Sequence, residues 1–178
     1  MDYAMLTDDV LALDFSRSEV HAAAGYPGVR LWRDSVAVRS LDPANLSILV
    51  PGFEKQLWDI KAAFHRFPGV RTKLIGIFIL DRSSSVDAPR FETLSPGASL
   101  RELVENLYPN SQYPITRGQL DGALQFLARI VETVVIRRLT FPDNLNKLGD
   151  TARRLIEFTR NLEPRPDDHA ASSAQVSS

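Results

Sequence analysis

Two adjacent carboxylates near the start of the chain, Asp8 and Asp9, are the side chains best suited to chemistry. They lie inside an apolar run that is typical of a strand buried on both faces, where aspartate is disfavoured. A buried ionised carboxylate needs a cation, a metal or several N–H donors, and two like charges side by side raise that need. At the end of a strand, the pair suits a divalent cation that carries phosphate oxygens. The apolar neighbours of the pair are Leu6, Val10, Leu11 and Leu13.

The segment Thr7-Asp8-Asp9 also fits a simple turn or a helix cap. Short hydroxyl and carboxylate side chains hydrogen-bond readily to nearby backbone groups, which favours turns. On the local pattern alone, the turn is preferred to the metal site. Motifs further along the chain are needed to choose between the turn and the metal site.

Length and composition limit the class of protein. The 178 residues are enough for one domain with its own core, whereas two domains would be small. A hydrophobic fraction of 44% and a charged fraction of 24% are ordinary for a soluble globular protein. The formal net charge of -1 gives no electrostatic reason to expect binding to nucleic acid or to an anionic membrane.

Cysteine and histidine chemistry is limited as well. The chain has no cysteine, which excludes disulfides, thiolate metal sites and a cysteine nucleophile. The histidines, His21, His65 and His169, are too scattered to indicate a metal cluster. No apolar run is long enough to span a bilayer, and the acidic N-terminus is unlike a signal peptide. A cytoplasmic location is therefore expected.

Periodicity and turn residues predict mostly strands in the first half of the chain. The strand that carries the aspartates precedes a turn over residues 14–18 and a short strand over Glu19–Ala23. Residues 25–32 are predicted to form a tight loop from which Arg30 and Trp32 emerge. The further segments are a short helix over 33–41, an apolar segment over 46–50, and a strand or helix over 54–60.

The second half of the chain predicts strands and helices in alternation. Residues 73–80 are apolar at odd and even positions alike, which is typical of a central strand covered on both faces. From residue 163 the chain is polar and is expected to be disordered. The other predicted elements are a strand over 90–94, a helix opened by Ser95-Pro96 with a capping box at 99–102, a long helix behind a capping box at 116–119, a strand over 134–139 and a final helix that includes residues 148–156. This order indicates a mixed α/β domain.

Five short motifs follow one another along the chain: Leu6-Thr7-Asp8-Asp9-Val10, Gly25-Tyr26-Pro27-Gly28-Val29-Arg30-Leu31-Trp32, Lys55, Ile75-Gly76-Ile77-Phe78-Ile79-Leu80 and Leu94-Ser95-Pro96. In this order they resemble the C-terminal part of HPr kinase/phosphorylase-like proteins, bacterial P-loop kinases that phosphorylate serine. The resemblance implies a partial phosphoenolpyruvate-carboxykinase-like nucleotide fold over residues 1–162. Such a fold has a mixed sheet and C-terminal helices, and here a disordered tail over residues 163–178 would follow it.

The resemblance implies roles for four residues. Asp8 and Asp9 match the twin aspartates that face the phosphates of ATP through Mg²⁺, and one of them acts as base toward the accepting hydroxyl. Arg30 and Lys55 match positions near the rim of the site, where a cation stabilises the transferring phosphate. From the residues alone, a surface salt bridge for Arg30 and a solvated side chain for Lys55 are equally open.

A kinase of this family also carries the motif G-x-x-x-x-G-K-[ST] shortly before the aspartates, where it cradles the phosphates. The sequence contains no such motif, so we do not expect phosphoryl transfer by this chain alone. Three hypotheses follow, in order of preference. The chain is the C-terminal part of such a kinase separated from its P-loop, a non-enzymatic relative that binds a protein, or an unrelated α/β domain.

Each of the first two hypotheses has a consequence for partners. In the first, the phosphate acceptor is a hydroxyl of a protein or of a small molecule, and the isolated chain binds ATP–Mg²⁺ weakly or not at all. An uncovered first strand also favours self-association in this hypothesis. In the second, an exposed apolar surface is expected beside residues 6–13.

Overall fold

The computed structural model describes residues 5–16, 18–26, 28–39, 41, 46–48, 54–59, 71–107 and 117–162. They belong to two compact units, Met1–Lys73 and Leu74–Ser178. Within these residues the chain forms three three-stranded sheets and four α-helices, so the predicted mixed α/β class is confirmed. The predicted disordered tail lies outside the described residues.

The first unit contains two antiparallel sheets with the strand orders β1-β2-β6 and β3-β5-β4. Its elements in chain order are β1 (Ala12–Ser16), β2 (Glu19–Ala23), β3 (Gly28–Trp32), α1 (Arg33–Arg39), β4 (Leu46–Ile48), β5 (Lys55–Asp59) and β6 (Thr72–Lys73).

A two-residue turn joins β1 to β2, because Ser16 pairs with Glu19. Ser18, the second residue of that turn, has a positive φ of 71°, and two-residue hairpin turns commonly need such a conformation. On β2, Val20 and Ala22 alternate with polar residues and are both buried. This alternation is the period-2 pattern of a strand with one covered face, and the predicted strand over Glu19–Ala23 is confirmed.

Ion pairs tie the first sheet together on its polar face. Lys73 Nζ on β6 donates to Glu19 Oε1 on β2 at 2.5 Å. Arg71, just before β6, pairs with Asp14 on β1. Together the pairs connect residues of β1 and β2 with the segment that contains β6.

The second unit contains one mixed sheet and three helices. Its strand order is β7-β9-β8, with β7 parallel and β8 antiparallel to β9. The elements are β7 (Gly76–Ser83), β8 (Arg90–Thr93), α2 (Pro96–Glu105), α3 (Arg117–Thr133), β9 (Val135–Pro142), a 3₁₀ turn over Leu145–Lys147 and α4 (Leu148–Arg160).

Helices cover both faces of this mixed sheet. On one face, the Phe91 ring stacks on Phe158 of α4 with 4.2 Å between centroids, and Phe78 meets both rings edge-on. On the other face, Arg138 Nη2 of β9 donates to Glu102 Oε1 of α2 at 2.5 Å. The buried core of the unit is built from Leu103, Leu127, Ile130, Val131, Val134, Val135, Ile136 and Leu139.

The prediction that residues 73–80 form a central strand is wrong. Among the strands that the structure describes, β7 begins at Gly76 and pairs with β9 alone, while β9 takes the central position. An apolar run at both parities does not require a central position, since Ile75 stays 46% and Leu80 65% exposed. The central strand is the more deeply buried of the two, as Val135, Ile136 and Leu139 show.

The helix predicted to open at Ser95-Pro96 is confirmed, but the predicted capping box at 99–102 is wrong. Ser95 is the cap residue, since its Oγ accepts from Ala98 N at 3.3 Å. Ser99 instead lies inside the first turn and is buried. Pro96 at the first helical position sets the start of the helix one turn earlier than the S-x-x-E spacing indicates.

Candidate functional site

The two aspartates lie in a turn and not in a buried strand, so the strand predicted over residues 6–13 is wrong. Thr7 Oγ1 donates to Val10 O at 2.8 Å, and this hydrogen bond closes the turn around Asp8 and Asp9. β1 begins only at Ala12, after the turn. The apolar side chains beside the turn stay in solvent: Val10 is 44% and Leu11 40% exposed. The structure therefore has the turn that the local pattern favoured.

A second stretch of the first unit runs alongside this turn. Gly25 N donates to Leu6 O at 2.8 Å. A Cβ at Gly25 would lie 2.7 Å from Thr7 Oγ1 and 3.0 Å from Thr7 Cβ, closer than side-chain atoms tolerate. Glycine at this position thus lets the turn approach the residues that lead into β3.

Arg30 on β3 contacts both aspartates. Its backbone N donates to Asp8 Oδ2 at 2.9 Å, and its Nη1 donates to Asp9 Oδ2 at 3.0 Å. Among the described strands β3 pairs with β5 alone, and the Asp8 carboxylate caps an N–H on the side away from β5. The prediction of a loop over residues 25–32 is wrong in its second half, because Gly28–Trp32 forms this strand.

Lys55 lies on the same sheet face as Arg30, beyond Trp32. Side chains alternate along β3, which puts Arg30 and Trp32 on one face. Trp32 pairs with Lys55 across the sheet, and Lys55 Nζ lies 4.9 Å from the centroid of the Trp32 ring. The cation is thus held by an aromatic ring and not merely solvated.

All four residues implied by the resemblance therefore belong to one region of the first unit. Asp8, Asp9 and Arg30 touch, whereas Lys55 is separated from them by Trp32. Asp9 and Arg30 are each 54% exposed at the side chain, so water screens the ion pair. The formal charges of two aspartates, one arginine and one lysine cancel.

The donor set at the turn fits a hard divalent cation only in part. Within the described residues, no group of three or more histidine, aspartate or glutamate side chains is arranged to hold a metal. Mg²⁺, however, is usually held by one or two protein carboxylates and takes its other ligands from phosphate and water. Asp8 and Asp9 meet that smaller requirement, and Arg30 supplies a positive charge beside them.

Sequence reasoning missed two residues of this region, Tyr26 and Gly28. The Tyr26 ring lies over Gly28, where a Cβ would be 2.6 Å from its Cε1 atom. The alternation of Gly28, Arg30 and Trp32 along one strand was the signal that could have revealed them. It was hidden because Pro27 and the two flanking glycines favour a loop.

The remaining sequence expectations for sites concern histidines and membranes. His21 lies on β2, and its Nδ1 is buried without a hydrogen-bond partner among the described residues. His65 and His169 lie outside the described residues. In the part of the chain that the structure describes, no helix combines the length and the apolar character needed to cross a bilayer.

The chain was compared with protein-family models, with curated proteins and with solved structures, and it matches none of them.

Proposed function

We propose that this chain supplies the metal-binding aspartates of an ATP-dependent phosphotransferase of the HPr serine kinase type. The observation that carries the proposal is the contact of Arg30 with Asp8 and Asp9. These aspartates lie 22 and 21 positions before the arginine in the sequence. The resemblance assigned these residues to one site on motifs alone, and contact between them supports that assignment. Two carboxylates beside a guanidinium are a common arrangement for binding metal-bound phosphate.

The residues of the site have defined tasks in this proposal. Asp8 and Asp9 would together hold Mg²⁺, which would neutralise charge on the phosphates. One of the two would also accept the proton of the attacking hydroxyl. Arg30 and Lys55 provide positive charge for the transferring phosphoryl group. The acceptor is a hydroxyl of a protein serine or of a small molecule.

The sequence contains no G-x-x-x-x-G-K-[ST] motif, so the backbone cradle for the β- and γ-phosphates must come from elsewhere. We therefore expect this chain alone to bind ATP–Mg²⁺ weakly and to transfer no phosphoryl group. Isothermal titration of ATP with Mg²⁺ into the purified chain measures this affinity. Submicromolar binding would contradict the expected weakness.

Paramagnetic Mn²⁺ in place of Mg²⁺ tests the metal site directly. In the presence of inorganic triphosphate, Mn²⁺ should broaden the amide NMR signals of residues 6–10 first. Asp8→Asn and Asp9→Asn should each abolish this selective broadening, because each removes an anionic ligand. Asp121→Asn, which changes an exposed aspartate on α3, is the matched control and should leave it intact. Unchanged broadening in both Asp8→Asn and Asp9→Asn would overturn the proposal.

A second candidate function, protein binding without catalysis, is favoured by a different observation. Val10 and Leu11 are exposed next to the aspartate turn, where they offer neighbouring apolar side chains to a partner. On this alternative the chain binds a protein through these residues, and a second copy of the chain is the simplest partner to test. The double variant Val10→Ser, Leu11→Ser should then sediment as a monomer at concentrations where the wild type does not. Ile48→Ser, which changes an exposed side chain of β4, is the control. A monomeric wild-type chain would exclude a second copy of the chain as the partner.

A further inference from the structure

An exposed aromatic side chain, Tyr26, lies on the face of β3 that carries Arg30. The backbone folds back at this point, because Gly28 N donates to Tyr26 O at 2.9 Å. The Tyr26 ring then occupies the space that a side chain at residue 28 would fill, with Cε1 at 2.6 Å and Cδ1 at 3.0 Å from the missing Cβ. One edge of the ring is thus held against the strand, while Tyr26 as a whole stays 65% exposed.

The groups of the proposed phosphate site follow one another along β3 in a fixed order. Gly28, Arg30 and Trp32 share this face because side chains alternate along β3. Successive residues of one face are roughly 7 Å apart, so the Tyr26 ring over Gly28 lies about that far from the start of the Arg30 side chain. Asp8 and Asp9 meet the strand at Arg30. The order along β3 is therefore an aromatic ring, then the guanidinium with the aspartates at the strand edge, then Trp32 with Lys55.

We propose that Tyr26 is the stacking platform for the base of a nucleoside triphosphate whose phosphates bind at Asp8, Asp9 and Arg30. The inference rests on the proposed function, since it adds a place for the base to the phosphate site. A base stacks on an exposed aromatic face, and this contact tolerates any base because every base has a π-face. Trp32 is less suited to the role, because Lys55 Nζ already lies 4.9 Å from its ring centroid.

Gly28 is the positioning residue of this platform. A Cβ at residue 28 would collide with the Tyr26 ring and also lie 2.8 Å from Leu57 Cδ1. Any larger side chain there must push the ring off the strand. The glycine therefore keeps the ring on the sheet face that carries the phosphate-binding groups.

NMR-monitored titrations of the full chain with ATP, GTP and inorganic triphosphate, each with Mg²⁺, test the inference. ATP and GTP should bind about tenfold or more tightly than triphosphate, since only they offer a base. Tyr26→Leu, which keeps an apolar side chain without the ring, should reduce ATP affinity to that of triphosphate. Tyr26→Phe should retain wild-type affinity, because stacking needs the ring and not the hydroxyl. Gly28→Ala should behave like Tyr26→Leu.

Matched controls separate this inference from general damage to the fold. Leu80→Ala changes another residue that is 65% exposed, in the second unit, and should leave all three affinities unchanged. The triphosphate affinity of Tyr26→Leu should also equal that of the wild type. If the sheet is disturbed by Gly28→Ala, Tyr26→Leu still decides the question, because Tyr26 lies outside the strands.

The outcomes distinguish the inference from the proposed function. Two results would overturn the platform: equal affinities of the wild type for ATP and triphosphate, or an unchanged ATP affinity in Tyr26→Leu. Either result does so even if Asp8→Asn and Asp9→Asn abolish triphosphate binding. Base-dependent binding that is lost in Tyr26→Leu but unaffected by Asp8→Asn and Asp9→Asn would support a base site and overturn the phosphotransferase. An absence of detectable binding by all three compounds also overturns the platform.

Discussion

Arg30 Nη1 lies 3.0 Å from Asp9 Oδ2, although the two residues are 21 positions apart in the chain. Both side chains are about half exposed, so the pair is surrounded by water. The same arginine is also held through its backbone N by Asp8. The contacts fix where the aspartate turn lies against β3, and they leave both carboxylates accessible to a cation.

The exposed pair of Asp9 and Arg30 should contribute little to stability. A double-mutant cycle with Asp9→Asn and Arg30→Met is expected to give a coupling free energy below about 1 kcal/mol, because water screens the charges. Urea denaturation of the four proteins measures it. A coupling of several kcal/mol would mean that the pair is desolvated in solution.

Gly25→Ala should destabilise the first unit and detach the aspartate turn. The added methyl would meet Thr7 Oγ1 at 2.7 Å, and the turn must move away from the strand to make room. We expect a loss of about 1–3 kcal/mol in the free energy of unfolding and changed amide shifts at residues 6–9 and 30. Gly118→Ala, on α3 with open space around it, should be neutral or stabilising by about 1 kcal/mol. Unchanged shifts in Gly25→Ala would show that the turn does not need the close approach.

Glu102 and Glu92 both lie near Arg138, but they should differ sharply in their effect on stability. Glu102 is 20% exposed and accepts from Arg138 Nη2 at 2.5 Å, whereas Glu92 is 66% exposed and 4.0 Å from Nη1. Glu102→Gln should cost about 1–3 kcal/mol, since it weakens a charge-assisted bond in a partly buried place. Glu92→Gln should change the free energy of unfolding by less than about 0.5 kcal/mol. Equal effects in denaturation experiments would contradict this arrangement.

Glu19 should make the first sheet sensitive to acid. The hydrogen bond from Lys73, and then the charge of that lysine, hold the pKa of the Glu19 carboxyl below its usual value. Because the folded pKa is the lower one, its stabilising effect is complete above the pKa of the unfolded chain, about 4.3, and is lost as the pH falls through the folded value. The stability difference between wild type and Glu19→Gln should therefore shrink as the pH is lowered from about 7 to about 3.

Hydrogen exchange of amides in β1 and β2 measures this difference within the first sheet. Glu105→Gln, which changes an exposed glutamate at the end of α2, is the control and should give the same difference at every pH. A difference for Glu19→Gln that is constant with pH would show that the Lys73 contact is not formed in solution.

Sequence patterns predicted the elements in which buried and polar residues alternate within one short segment. The strand over Glu19–Ala23 was predicted to the residue, because Val20 and Ala22 alternate with polar residues between turns. The first strand was misplaced, because the apolar residues before Ala12 look like a buried strand although Val10 and Leu11 are exposed. Alternation of Leu13 and Phe15 with Asp14 and Ser16 marks the true strand, but it is shorter than the apolar run before it.

The candidate site shows more clearly that local sequence patterns do not predict contacts between distant segments. The resemblance named Asp8, Asp9, Arg30 and Lys55, and three of them touch. That contact depends on Gly25 lying against Leu6, a pairing that no local period encodes. The distance of Lys55 from the aspartates follows from the pairing of Trp32 with Lys55, and that register is set by the whole sheet of β3, β4 and β5.

The mixed sheet of the second unit has a consequence for the order of folding. β7 and β8 do not pair with each other, because β9 lies between them and pairs with both. Neither strand can form its hydrogen bonds to β9 until residues 135–142 have left the ribosome. The parallel pairing of β7 with β9 begins with Gly76 opposite Val135. Closing so long a loop is slow, so α2 and α3 form from local contacts before the sheet does. During synthesis the apolar strand β7 therefore stays unpaired until β9 has been made, and in this interval it is open to aggregation.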